Sequence, residues 1–215
     1  MITLERFRLL IEAVRARGYG DMIAWSEAIT PADDADEFAS RVIYVICNSG
    51  MANTVATIIY ERCITALNAG QTVTSVFRHP GKSKAIDAIW SQRETLFEAF
   101  QQSLEPIATL QSLPWIGEIT ALHLAKNLGA DVAKPDVHME RLARRENTTT
   151  AKLCERLAAD SGYRVATIDS ILWRACADKI LNSRAYEEQG WDAAFRPAAQ
   201  PAEHSQNFSS KDPSA

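Results

Sequence analysis

The chain has 215 residues, of which 47% are hydrophobic and 23% are charged, which is ordinary for a globular protein with a substantial core. No apolar run approaches the roughly 20 residues that span a bilayer, and the charged N-terminal segment does not resemble a signal peptide, so we expect no membrane partner. The net charge of −4 excludes a global positive field, and a nucleic-acid-binding face must therefore be local.

The predicted elements are all helical, and no segment shows a convincing strand alternation. Gly18 and Gly20 are expected to break the first helix, and the sequence "PADDADEF" is predicted to be a loop with an acidic first turn, which suits a helix N-terminus. The segment 38–47 is apolar almost all round, which predicts a central buried helix. In chain order, the predicted helices cover residues 3–16, 38–47, 53–67, a segment from the Pro80–Gly81 turn toward Phe100, 104–111, 118–128, 137–146, 150–159 and 168–181.

The C-terminal segment and the cysteines carry two further predictions. From Arg196 onward the sequence is poor in large apolar residues and rich in Pro, Ser and Ala, which predicts a disordered tail over 196–215. The four cysteines form no CxxC pair and have no metal-ligand spacing, so we expect reduced, mostly buried thiols in a cytoplasmic protein.

Residues 104–128 read as a helix, the tight turn "SLPWIG" and a second helix that Gly129 ends. One interpretation is an ordinary αα-hairpin. The other is an anion site, because free backbone N–H groups at a helix N-terminus can bind a DNA phosphate without basic side chains. The second interpretation would explain how an acidic protein could hold DNA.

The residues of this turn resemble the helix-hairpin-helix DNA glycosylases of the endonuclease III type. Their hairpin is Leu-Pro-Gly-(Val/Ile)-Gly-x-x-Thr-Ala, followed at a set distance by Asp-x-His. The chain has Leu113, Pro114, Ile116, Gly117, Thr120, Ala121 and then Asp136-Val137-His138 in the matching places. Weaker similarity extends over roughly residues 38–180, in "RVIYVICNSGMANTVA", "KSKAIDAIW" and "TIDSILWRACADK".

The resemblance implies an all-α, two-lobed fold with the active site in the cleft between the lobes. A helical barrel lobe would cover 38–134 and contain the helix-hairpin-helix at 104–128, and the second lobe would combine 1–37 with 135–195. Three departures from the family pattern matter. Trp115 stands where the family has the first glycine of the hairpin, Ile119 stands where lyase-active members have their Schiff-base lysine, and no group of cysteines follows Cys176 to hold an iron–sulfur cluster.

Asp136 is the residue that the resemblance assigns to catalysis. Base removal passes through an oxocarbenium-like transition state, which a carboxylate beneath the sugar stabilises while it orients a water. The structural interpretation is that Asp136 caps the helix that begins at Val137, and the two roles are compatible because a capping aspartate is rigidly placed. Because Ile119 cannot form an imine, a monofunctional enzyme without AP-lyase activity is expected. Lys134 could substitute, but phosphate contact or solvent exposure is favoured for it.

The remaining site residues follow from the loops and helices that the resemblance covers. Met51 and His79 are candidate wedges that fill the gap left by a flipped base, although Met51 could be core and His79 a turn residue. The expected DNA contacts are Leu113, Pro114, Trp115, Ile116, Gly117, Thr120, Asn48, Ser49, Met51, His79 and Lys82. The candidate base pocket comprises Tyr44, Trp25, Trp173, Lys134 and His138.

These residues predict a monomeric DNA glycosylase that acts on double-stranded DNA without an iron–sulfur cluster or other cofactor, apart from room for a monovalent cation at the hairpin. Base-excision repair and defence against foreign DNA with modified bases would use the same machinery, so the base is left open. Two alternatives have other functions. One is a non-catalytic helix-hairpin-helix DNA-binding module, and the other is an all-α protein-interaction adaptor.

Overall fold

The computed structural model describes residues 1–196 and contains, over that range, thirteen α-helices and no β-strand; one isolated antiparallel bridge joins Leu181 to Phe195. The all-α prediction is therefore confirmed. The helices are α1 (Leu4–Ala16), α2 (Gly20–Ala28), α3 (Ala35–Asn48), α4 (Asn53–Asn68), α5 (Pro80–Ser91), α6 (Arg93–Gln101), α7 (Pro106–Gln111), α8 (Glu118–Asn127), α9 (Val137–Arg145), α10 (Thr150–Ser161), α11 (Val165–Ala177), α12 (Ser183–Gln189) and α13 (Trp191–Ala194). A 3-10 turn covers Val73–Ser75.

Side-chain caps fix the start of nearly half of these helices. In each case an oxygen or ring nitrogen of the residue before the helix accepts a hydrogen bond from a backbone N–H of the first turn. A cap of this kind typically stabilises a helix by about 1 kcal/mol. The capping residues are Thr3, Asp34, His79, Asp136, Thr149 and Asn182.

The buried hydrophobic residues form two separate clusters. The central core, as we call the first, is built by α3 to α8, and Phe38 and Ile43 of α3 lie fully buried within it. Helix α3 packs against α4, α5, α6 and α8, so the most apolar helix of the sequence occupies the middle of this core. The terminal core combines α1 and α2 with α9 to α13, and it contains Phe7, Met139 and Tyr186.

Several elements differ from the sequence-based expectation. The first helix ends before Gly18 as predicted, but Gly20 begins α2, which was not predicted. Helix α3 begins at Ala35, before the predicted start at Phe38, and Asp36 and Glu37 form the acidic first turn that was expected. The helix expected to run toward Phe100 is divided at Gln92 into α5 and α6. Helices α12 and α13 were not predicted, and α11 covers Val165–Ala177 instead of 168–181. Beyond Arg196, the predicted tail lies outside the described residues.

Two further expectations concern the membrane and the cysteines. Within the described part of the chain, none of the helices has the length and apolar character that crossing a bilayer requires. Cys47, Cys63, Cys154 and Cys176 are all free and buried. Burial of the thiols was therefore predicted correctly, and their packing is that of small hydrophobic residues.

Candidate functional site

The hairpin between α7 and α8 closes through a tight turn. The backbone N–H of Ile116 donates to the carbonyl of Leu113 at 3.1 Å, and Pro114 occupies the second position of the turn. Trp115 occupies the third position with a φ of +68°. This is the pattern of a type II turn, in which the third residue needs positive φ and is usually glycine. Trp115 therefore adopts a backbone conformation that glycine usually supplies, at a cost of about 1–2 kcal/mol.

The indole of Trp115 packs against the start of α5. It lies over Gly81, where an added Cβ would approach Cζ3 more closely than van der Waals contact allows. Its ring also meets the His79 ring edge-on, with 5.2 Å between centroids. The side chain remains 44% exposed. The hairpin and the turn before α5, both expected to face DNA, are thus joined by one half-exposed aromatic residue.

The start of α8 presents backbone to solvent beside this turn. Leu113 and Ile116 anchor the hairpin in the central core. Gly117 precedes the helix in an extended conformation, provides no side-chain cap, and has open space where a Cβ would stand. Gly117, Glu118 and Ile119 are exposed. Because the first N–H groups of a helix have no intrahelical partner, this terminus is open to an anion.

Asp136 is the N-cap of α9. Its Oδ1 accepts hydrogen bonds from the backbone N–H groups of His138 (2.9 Å) and Met139 (3.1 Å). Its Oδ2 takes no part in the cap and lies 3.8 Å from the Nζ of Lys134. The side chain of Asp136 is 16% exposed. The capping interpretation is therefore correct, and it leaves a rigid carboxylate with one oxygen available for other contacts.

A buried carboxylate holds the segment before Asp136. Asp169 of α11 accepts from the backbone N–H of Lys134 at 3.1 Å through Oδ1, and its Oδ2 pairs with the ammonium of Lys126 from α8. Lys126 also donates to Ser170 Oγ at 3.1 Å. Burial raises the pKa of Asp169, and Lys126 opposes that rise. Asp169 thus ties α8, α11 and the Lys134–Asp136 segment together.

His123 of α8 lies close to these charges. Burial lowers its pKa to about 3, and the positive charges of Lys134 and Lys126 act in the same direction. The imidazole is therefore neutral at physiological pH. On the same helix, Ile119 lies one turn before His123 and Lys126 nearly one turn after it, so these three residues share one face.

Besides Lys134 itself, two of the five candidate base-pocket residues lie near Lys134 or Asp136, and both already have other contacts. Trp173 is half-buried, and its ring centroid is 6.0 Å from Lys134 Nζ. His138 has its Nδ1 2.8 Å from Ser183 Oγ, so its ring is already held. The other two aromatic candidates lie on α3 and α2. Tyr44 meets Tyr60 edge-on at 5.5 Å, and Trp25 is exposed on α2.

Lys82 does not face solvent as a DNA contact would. It is buried, and its ammonium donates to the backbone carbonyls of Cys47 (3.1 Å) and Ser49 (2.6 Å) at the end of α3. Burial lowers the pKa of Lys82. The expectation for Lys82 is therefore corrected, because this ammonium satisfies carbonyls that α3 leaves unpaired at its C-terminus.

The other loop residues have mixed environments. Asn48 donates through its side chain to the carbonyl of Tyr44 at 3.0 Å. Met51 is half-buried against the central core, as its structural interpretation predicts. His79 is exposed, and its Nδ1 accepts from the backbone N–H of Lys82 at 3.3 Å, so it caps α5. Of the two candidate wedges, His79 is the one that lies exposed, beside Trp115.

A cleft of about 340 Å³ borders the same segment on another side. Ala133 and Pro135 line it, together with Leu122 of α8, whereas Lys134 and Asp136 are not among its lining residues. The backbone turns at Pro135, where the N–H of Asp136 donates to the carbonyl of Lys134 at 2.9 Å, and the Asp136 carboxylate does not line this cleft.

Sequence reasoning missed His123, the contact of Gly81 with Trp115, and the pairing of Lys126 with Asp169. For Asp169 a signal existed, since it is the one acidic residue within "VATIDSILWRACA", and a lone carboxylate in an apolar helix usually has a buried partner. For Lys126 the signal was its position on the face of α8 that carries Ile119.

The chain matches no protein-family model, and no curated protein or solved structure is significantly similar to it. The resemblance to helix-hairpin-helix glycosylases therefore depends on the residues of the hairpin and on Asp136.

Proposed function

We propose that this protein is a DNA glycosylase that hydrolyses the N-glycosidic bond of a damaged or modified base flipped out of double-stranded DNA, and leaves an abasic site. The proposal includes a two-lobed helix-hairpin-helix fold, with Asp136 in the cleft between the lobes. The observation that carries it is the Asp136 carboxylate, which the cap of α9 holds rigidly through Oδ1 while Oδ2 remains outside the cap.

The chemistry of base removal fits such a carboxylate. Breaking the C1′–N bond develops positive charge on the sugar, and a fixed negative charge stabilises it without reorganisation of the protein. Oδ2 of Asp136 is the oxygen that would face the sugar or orient the attacking water. Because Ile119 has no amine, water and not residue 119 displaces the base, so base release is hydrolytic. No step of this proposal uses a metal or an organic cofactor.

In this proposal the hairpin binds the DNA backbone. The open N-terminus of α8 at Gly117 offers backbone N–H groups to a phosphate, and the positive end of the helix dipole favours that anion. His79 and Trp115 are exposed beside this turn, and the proposal assigns them to the gap that a displaced base leaves in the stack. Both sets of contacts are local, which agrees with the net negative charge of the chain.

Asp136→Asn tests the catalytic part of the proposal. Asparagine caps a helix about as well as aspartate, so the fold should persist, whereas the charge opposing the oxocarbenium is lost. We expect base release to fall at least about 100-fold, the scale of a lost electrostatic contact in a transition state. The assay incubates duplexes with alkylated, oxidised, deaminated or hypermodified bases and scores abasic sites after alkali.

Asp136→Ala is the companion variant, because it removes both the charge and the cap. It should lose base release to the same degree and also lose about 0.5–2 kcal/mol of stability. If Asp136→Asn keeps full turnover on the duplex that the wild type cleaves, Asp136 only caps α9 and the mechanism is wrong.

Gly117→Asp and Gly117→Asn test the hairpin. A Cβ at Gly117 meets no atom within 4 Å, and both residues are good N-caps, so neither variant should unfold the protein. The two side chains are nearly the same size, but only aspartate repels a phosphate. We therefore expect Gly117→Asp to weaken binding of undamaged duplex about ten-fold more than Gly117→Asn, with the gap narrowing at high salt. Equal affinities of the two variants would show that the hairpin only connects α7 to α8 and does not bind a phosphate.

One observation favours a second candidate, a DNA-binding module without catalysis. The two functions attributed to Asp136 are separable, and the structure already gives its carboxylate a capping role and an ion-pair partner in Lys134. Such a module would bind duplex DNA in a salt-dependent way but release no base from any member of the panel.

A further inference from the structure

The cleft beside the Lys134–Asp136 segment lies where the two hydrophobic cores meet. Leu122 comes from α8, a helix of the central core, whereas Ala133 belongs to the terminal core and Val165 begins α11. The volume of about 340 Å³ is at the lower end of the roughly 300–1,000 Å³ that is typical of ligand pockets. The cleft is therefore better suited to a small molecule than to a peptide.

Every charged side chain that lines this cleft is acidic. Asp131 lies after α8, Glu140 on α9 and Glu155 on α10, so the carboxylates come from three separate elements. Within residues 1–196, the lining contains no lysine, arginine or histidine, and its other members are apolar side chains and two threonines. Charges of one sign above low-dielectric walls focus the field in a cleft, so this cleft attracts a cation.

Two of the carboxylates have oxygens free to contact a ligand. Glu155 is exposed, and its side chain makes no hydrogen bond or ion pair within the described part of the chain. Asp131 accepts from the backbone N–H of Ala166 at 2.9 Å through Oδ1, and the same oxygen lies 3.8 Å from Nε of Arg164. Oδ2 of Asp131 takes part in neither contact.

The third carboxylate, Glu140, is more constrained. Its Oε1 accepts from the hydroxyl of Thr150 at 3.0 Å, and its Oε2 lies 4.0 Å from a guanidinium nitrogen of Arg144. Because that ion pair is long and both of its side chains are about half exposed, it neutralises little of the negative charge. Asp131 and Glu155 are thus the stronger candidates for direct contact, and Glu140 adds to the field.

The spacing of the carboxylates distinguishes an organic cation from a metal ion. Among the described residues, no three Asp, Glu, His or Cys side chains converge closely enough to hold one metal ion. The negative charges are therefore spread around the cleft, and the apolar wall between them offers no oxygen ligands of the kind that Mg²⁺ or Ca²⁺ requires. A molecule with two separated cationic groups and an apolar middle matches this arrangement.

We propose that this cleft binds a small aliphatic diamine or polyamine. Its ammonium groups would pair with Asp131 and Glu155, and its methylene chain would cover Leu122, Pro135 and Val165, where burial of each methylene is favourable. A bound amine would add contacts to the segment that leads to Asp136. The inference goes beyond the proposed glycosylase function and does not depend on it.

The test titrates the isotope-labelled full-length protein with 1,4-diaminobutane, without DNA, and follows the backbone amide signals by NMR. We expect saturable shifts at residues 131–135, 149–151 and 165–166. n-Butylamine has the same chain with one ammonium, so it should bind about three-fold more weakly through the loss of one partly exposed ion pair. Magnesium chloride at matched ionic strength should not reproduce the shifts.

The variants are Asp131→Asn, Glu155→Gln, the double variant and the control Glu98→Gln. Asparagine keeps an oxygen that can accept from the N–H of Ala166, so the fold should persist, and amide signals outside the cleft check this. Glu98 is exposed on α6, and its replacement changes the net charge equally. Each single cleft variant should weaken diamine binding about three-fold and the double variant about ten-fold, with no change in Glu98→Gln.

Three results would overturn the inference. The first is the absence of saturable shifts at the cleft residues up to about 10 mM diamine, a concentration that covers millimolar affinity. The second is a double variant that binds as tightly as the wild type. The third is an equal effect of Glu98→Gln or of magnesium, which would show only a general attraction of cations to an acidic protein. None of these measurements involves base release, so they leave the glycosylase proposal to its own assay.

Discussion

Replacing Gly81 with alanine should destabilise the protein only while Trp115 is present. The Cβ of alanine would collide with the indole and push it away from the start of α5. About half of the tryptophan side chain is covered, which is roughly 100 Å² of apolar surface or about 2.5 kcal/mol at 25 cal/mol per Å². Losing most of that contact costs about 2 kcal/mol.

Alanine also has a favourable effect at position 81. Gly81 lies in the first turn of α5 without positive φ, where alanine is about 0.5–1 kcal/mol better than glycine. The net change with Trp115 in place is a loss of about 1 kcal/mol. In a Trp115→Gly background the collision is gone, so the same substitution should add about 0.5–1 kcal/mol. The coupling between the two sites is then about 2 kcal/mol.

Thermal unfolding of the wild type, both single variants and the double variant measures this coupling. For a chain of this size, 1 kcal/mol shifts Tm by about 2–4 °C. Gly81→Ala should therefore lower Tm by about 3 °C in the wild type and raise it by about 2 °C in Trp115→Gly. Gly20→Ala is the control, because its Cβ meets no atom within 4 Å, and it should stabilise both backgrounds alike. A Gly81→Ala effect of the same sign in both backgrounds would refute the packing argument.

Two further predictions concern the charges around α8. Lys126→Met leaves the buried Asp169 carboxylate unpaired, so the free energy of unfolding should fall by about 3–5 kcal/mol, and a Tm within 2 °C of the wild type would contradict this. The folded-state pKa of His123, about 3, lies below the unfolded value of 6.5, so its contribution to stability is complete above pH 6.5 and is lost as pH falls toward 3. Between pH 7 and 5 this loss reaches about 2 kcal/mol, and denaturant titrations should show it in the wild type but not in His123→Gln. A difference between these two proteins that stays constant with pH would exclude His123 as the cause.

The helices that could be predicted are those whose signals are local. The hairpin helix α8 begins at Glu118 as predicted and ends within one residue of the predicted end, because a turn precedes it and Gly129 follows. Helix α9 begins directly after its cap at Asp136. Helix α2 had no such signal, since it begins at a glycine without a side-chain cap and mixes polar and apolar residues around its axis. Its contact with α11, far along the chain, holds it in place.

The same distinction applies to the candidate site. Asp136 and the hairpin could be found because motif and spacing are properties of one short stretch. The partner of Lys126 is 43 residues away on another helix, and no pattern in the sequence joins them. Trp115 looked like a defect in the hairpin because its partner, Gly81, lies in a different turn. The absence of a side chain at position 81 leaves room for the indole of Trp115.

The charges at the site constrain how the proposed hydrolysis can proceed. An ammonium beside Asp136 weakens the field that a developing oxocarbenium would feel, so the proposed reaction requires that Lys134 moves away from Oδ2 before the base leaves. The separation costs little, because 3.8 Å is long for an ion pair and both side chains are partly exposed. A phosphate of bound DNA is the partner that would draw the ammonium away. DNA binding would then strengthen the field of the carboxylate at the moment when the reaction needs it.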